Sequence, residues 1–140
     1  MNRYIPTERD AREGLRQHLL DRALAARQRY GPHIGAEQAL ALVADRAVVR
    51  YPATICFDGA ALRPGEFGFA EVVADDAGRR IRLYLHDRLT GAPQRWPLAI
   101  AYHIPPINYH DIATHDDCVA YGACLLGLHP ADYQQALAAL

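Results

Sequence analysis

The chain has 140 residues, 51% of them hydrophobic and 22% charged, with a formal net charge of -1, which excludes a disordered or fibrous chain and leaves ample material for one buried core. A charge this close to neutral lacks the basic footprint of nucleic-acid binding, and no apolar run approaches the ~20 residues of a membrane span. The three cysteines, Cys56, Cys118 and Cys124, form no CxxC pair, which argues against a disulfide framework.

The opening stretch from Met1 to Asp10 carries acids and no apolar segment. No secretory signal is expected there, and a reducing, cytoplasmic setting is. All 15 basic residues are arginine; a GC-rich coding bias accounts for this, so the arginines do not argue for nucleic acid. Charge is uneven along the chain. Residues 101–140 hold no arginine but contain four aspartates and four of the seven histidines, which sets the last third apart.

The first helix is expected from Thr7 to Tyr30, with Thr7 as N-cap and Glu8 and Asp10 in its first turn. Leu15, Leu19, Ala23, Ala26 and Tyr30 repeat at helical spacing, and Gly31-Pro32 ends the run. Arg9, Arg12, Arg16, Arg27 and Arg29 alternate with acids and read as a solvated face. A shorter helix is expected over Ala36 to Arg46.

The period then becomes alternating. Ala47 to Phe57, Phe67 to Ala74, Arg80 to Leu89 and Leu98 to Ile104 read as strands, parted by Asp58-Gly59, Pro64-Gly65, Asp76-Ala77-Gly78 and Thr90-Gly91-Ala92-Pro93. Short connections favour an antiparallel meander, and Pro52 puts the first strand at an edge or bulge. One parity, including Val49, Tyr51, Ile55, Phe57, Phe67, Phe69, Val73, Ile81, Leu83, Leu85, Leu98, Ile100, Tyr102 and Ile104, forms the expected core face. The other carries Arg50, Thr54, Cys56, Ala70, Arg80, Arg82, Tyr84, His86, Ala99, Ala101 and His103.

Two helices are expected to close the chain. One starts at a capping box, Thr114 with Asp117; the other runs from Ala131 to Leu140 behind Pro130. The expected fold is a single α+β domain over 1–140. It is two-layered, a four-stranded antiparallel meander flanked by N-terminal and C-terminal helix pairs (ααββββαα).

The chemically dense stretch is Tyr102 to Cys118, with three imidazoles, three aspartates and a thiol around a double-proline loop. His103, His110, Asp111 and His115 supply the donor types of zinc and non-haem iron sites. Yet Asp116 and Asp117 are also where acids complement a helix N-terminus, and the spacing matches no established ligand motif. His103 shares strand parity with Ala99 and Ala101, and with Tyr84 and His86 on the preceding strand, so these side chains are candidates for a ligand or dimer patch. Tyr109 belongs to the same candidate surface. Cys118, three residues after His115 and near a helix start, is the best-placed thiol for a nucleophile.

The resulting expectation is a small soluble non-catalytic binding or accessory protein, a homodimer or bound to a protein partner, with neither nucleic acid nor membrane as partner. The competing expectation is a small metal-dependent hydrolase with zinc or iron at residues 103–118.

Overall fold

A computed structural model describes residues 5–140. It contains five α-helices and one three-stranded sheet among the described residues: α1 (Glu8–Tyr30), α2 (Ala36–Leu42), β1 (Ala53–Phe57), β2 (Gly68–Asp75), β3 (Gly78–Leu85), α3 (Trp96–Tyr109), α4 (His115–Leu126) and α5 (Pro130–Ala138). Two helix starts follow the sequence closely. The Thr7 and Thr114 side chains each accept a hydrogen bond from the third helical amide, and the carboxylates of Asp10 and Asp117 each accept one from the cap residue's backbone N–H.

The expected four-stranded meander is overturned by the sheet's topology and by the fate of its last segment. The strand order is β1-β3-β2, with β1 parallel and β2 antiparallel to β3. The tight Asp76-Ala77 turn folds β3 back on β2, with Asp75 opposite Gly78, and Gly78 at φ +113° takes a conformation that suits glycine. Residues 58–67 meanwhile carry the chain two strand positions away from β1, so β3 fills the gap between β1 and β2. The ladder of β1 is also shorter than expected: Ala47 to Pro52 lies outside it, although Val48 and Val49 are buried.

Leu98 to Ile104 is helical, so three helices follow the sheet rather than two. Its apparent alternation comes from a helix buried on most sides: Ala99, Ile100, Ala101, His103, Ile104, Ile107 and Asn108 are all buried. Such a helix shows no polar stripe to betray its period. Pro97 occupies the first turn, where it fits. Pro105 and Pro106, expected in a loop, lie inside α3, where each removes a backbone donor.

The helices cover one face of the sheet. Ile81, Leu83 and Leu85 of β3 face them and are buried. Tyr133 of α5 is fully buried and donates its hydroxyl to the Leu98 carbonyl at 2.6 Å, fastening α5 to the start of α3. The face assignment of β2 is corrected by its register. Gly68, Ala70 and Val72 pair with Leu85, Leu83 and Ile81 and share their face, whereas Phe69 pairs with Tyr84 and Val73 with Arg80 on the other. Phe69 and Val73 therefore stand on the open face, and Ala70 on the helix side. A one-residue parity error exchanges the two sets.

Candidate functional site

The groups singled out between Tyr102 and Cys118 divide between the interior and the surface. His103, 5% exposed, holds its Nδ1 2.7 Å from the Ala99 carbonyl one turn back. Its other side lies against Gly68: a methyl group there would meet the imidazole Cε1 at 2.6 Å. Burial lowers the histidine's pKa, against backbone hydrogen bonds to Ala99 and Gly68 and the charge of Glu66. His103 thus packs α3 onto the first residue of β2. The rings of Phe67 and Tyr102 stand edge-on to it at 5.4 and 5.1 Å.

Tyr102 carries the cluster outward. Its hydroxyl lies 2.8 Å from Nδ1 of the exposed His115 at the start of α4. Burial, with a smaller contribution from the neighbouring Cys118 thiol, pushes its pKa up to about 12, which keeps the phenol protonated. Cys118 is buried, and burial together with the Asp117 carboxylate pushes its thiol up to about 12. This reverses the activation expected from a helix N-terminus. Burial pushes Asp117 up, but hydrogen bonds from Thr114 and Arg16 outweigh it and leave the carboxyl below its usual range. The Arg16 contact, at 2.8 Å, ties α1 to the start of α4.

The other candidates are dispersed. His110 and Asp111 are exposed on the turn between α3 and α4. Tyr109 packs edge-on against His18 of α1. His86 caps the turn after β3, its Nδ1 accepting from the Arg88 amide at 3.2 Å. Tyr84 accepts a hydrogen bond from Arg82 on the sheet's open face, on the side away from His103. The expected Tyr84-His86-His103 patch does not form, because His103 sits on a helix. Among the described residues no three His, Cys, Asp or Glu side chains come together as metal ligands. His103, His110, Asp111 and His115 are thus not assembled into a centre.

Two clefts flank this region. One, of about 960 Å³, lies between the first turns of α1 and the α3–α4 connection, with Arg12, Tyr109, Asp111, Ile112 and Asp116 on its walls. The other, of about 370 Å³, runs beside β2. Residues 68–72 line it together with His103, Pro106, His110 and Asp111. His110, at φ 51°, is the one non-glycine residue with positive φ among the described residues. Backbone of this kind is costly and concentrates at functional positions.

The second cleft follows an unpaired strand edge. The His86 amide donates to the Phe67 carbonyl at 3.0 Å, and antiparallel bonds alternate along a ladder. With this register, Phe69, Glu71 and Val73 bond to β3, and the backbone groups of Ala70 and Val72 point away from it. Phe69 and Val72 are 45% and 43% exposed, on opposite faces of this edge. Phe67, Gly68, Val72 and Pro106 were missed as site residues. An isolated glycine between two phenylalanines in a strand was the available signal, since it marks a close backbone approach. No family model, curated protein or solved structure matches this chain.

Proposed function

We propose that this chain is a small non-catalytic binding or accessory protein whose partner docks on the β2 side of the sheet. The observation that carries this reading is the open β2 edge, eight residues long, with Phe69 and Val72 exposed beside a cleft. An uncovered edge exposes the protein to unwanted strand pairing, and folds usually blunt it with proline, charged residues or a covering element; the charges of β2 are Glu71, opposite Arg82, and Asp75, paired with Arg80 at the hairpin end. β2 contains no proline and no arginine. The titratable groups nearby support the same reading through what they hold. His103 joins α3 to β2, Asp117 joins α1 to α4, and Tyr102 joins α3 to α4.

A photo-crosslinking amino acid in place of Phe69 tests this in the source cells. A discrete protein adduct is expected at this position and not with the probe at Leu24, which is 49% exposed on α1. Absence of an adduct, or an identical one from Leu24, overturns the reading.

A further inference from the structure

We propose that the groove beside β2 takes an extended, basic peptide segment of a partner protein as an added fourth strand. This rests on the binding reading above and names its ligand. The outward backbone groups of Ala70 and Val72 form a short hydrogen-bonding template, and main-chain bonds of this kind give strand addition its affinity. The Gly68 end is closed by His103, which lies against it. The added strand therefore begins beyond Gly68 and runs along Ala70 and Val72.

Side chains of such a strand alternate between two surfaces. Those on the helix side meet Val72 and Pro106, with Asp111 beside them; those on the open side meet Phe69 and Glu71. The groove lining carries two carboxylates, the imidazoles of His103 and His110, and no arginine. Glu71 faces Arg82 across the ladder, while Asp111 enters no ion pair among the described residues. Apolar residues alternating with arginine or lysine match both the surfaces and the charge. A second copy of this chain fits less well. β2 brings Glu71 and Asp75 but no base, so a β2–β2 seam would place like charges along one strand pair with no opposite charge between them.

The test uses the full chain with terminally blocked heptapeptides: alternating valine and arginine, alternating valine and glutamate, and the first with an N-methylated backbone. The valine–arginine peptide is expected to shift the Ala70 and Val72 amide resonances, and to bind at least about tenfold more tightly than the glutamate version. N-methylation should abolish binding. Ala70→Pro should do the same, because it removes an outward N–H while leaving the β3 ladder, and Asp111→Asn, an exposed change, should weaken it severalfold. Equal binding of both charges overturns the proposal. So do shifts confined to residues away from β2, or unimpaired binding of the N-methylated peptide. Self-association abolished by Ala70→Pro, with no peptide bound, assigns the edge to a second copy and overturns it too. A Phe69 crosslink that survives Ala70→Pro sinks the strand-addition proposal while leaving the binding function standing.

Discussion

β1 and β2 both pair with β3, and each leaves one side to no other strand among the described residues. The two edges are built differently. β1 has five residues, is led in by Pro52, and has its first amide, that of Ala53, already donated to the Val43 carbonyl at 2.8 Å. A short strand tied to the end of α2 offers little template to another chain. β2 has eight residues, and the one side chain against its open side at Gly68 is the buried His103. From Ala70 onward a cleft takes the place of a covering element. β1 thus offers a shorter free edge than β2, whose flank is a cleft lined by the only positive-φ side chain among the described residues and by an unpaired aspartate.

The largest effect is expected where both edges depend on the same strand. Leu83 sits at the centre of β3, opposite Ile55 on one side and Ala70 on the other, and is fully buried. Leu83→Ala should cost about 2–5 kcal/mol, read from the denaturant midpoint. If it cost less than a change in β2 alone, β3 would not be the element that unites the edges.

Next comes the closed end of the β2 edge. Gly68→Ala places a methyl group 2.6 Å from the His103 ring and 3.0 Å from Leu85. Both neighbours are buried and cannot swing away, so overpacking should cost about 1–3 kcal/mol. The same methyl group at Gly65, with open space around it, crowds nothing; its cost comes only from the positive φ of 86°. A Gly68→Ala variant as stable as wild type would mean that His103 does not seal this end.

This contrast between the edges was only half legible in the sequence. The run from Phe67 to Ala74 alternates and is free of proline, so a strand was readable, as was the edge position of the segment after Pro52. Its parity was not readable. Phe69 and Val73 outweigh Ala70 and Val72 in hydrophobicity, and the bulky set was assigned inward; the register with Leu83 and Leu85 puts the small set there because α3 packs close. The fourth strand failed for a related reason. Leu98, Ile100, Tyr102 and Ile104 alternate with Ala99, Ala101 and His103, and alanine satisfies a buried helix as well as a tightly covered strand. With that segment misread, His103 was grouped with Tyr84 and His86 on the wrong side of the sheet. The capping boxes at Thr7 and Thr114 were legible because they are local, needing only residues three apart.

A smaller effect should appear on acidification. The pKa of His103 is lowered on folding, chiefly by burial, from the ordinary 6.5. Below that value the unfolded chain takes up a proton that the folded one resists, so the unfolded state gains. The stability is fully present above 6.5 and is lost progressively as pH falls from there toward the folded value. Asp117, with its carboxyl held low, loses its contribution only below the ordinary aspartate value of 3.8, so the two titrations are separated. Urea midpoints measured from pH 8 to 5 should therefore fall below about 6.5, and His103→Gln should flatten that fall.

The smallest effect belongs to the face that neither edge uses for its core. Arg80 and Arg82 alternate with Ile81 and Leu83 on the same strand, yet both are exposed. Arg80 pairs with Asp75 at the hairpin end, and Arg82 donates to the Tyr84 hydroxyl. Both contacts lie in water, where such pairs gain little and are screened by salt. Arg80→Ala and Arg82→Ala should leave the denaturant midpoint within measurement error of wild type, at low and at high salt alike. Phe69 lies on this same face at the β2 edge, so the pair of arginine variants also separates folding from docking. Removing Arg82 takes away the base opposite Glu71 and leaves that carboxylate less compensated. The fold should be indifferent to this, while a basic strand on β2 should bind more tightly. A destabilised Arg82→Ala variant would mean that the open face contributes to the core after all, and the assignment of the two faces would be inverted.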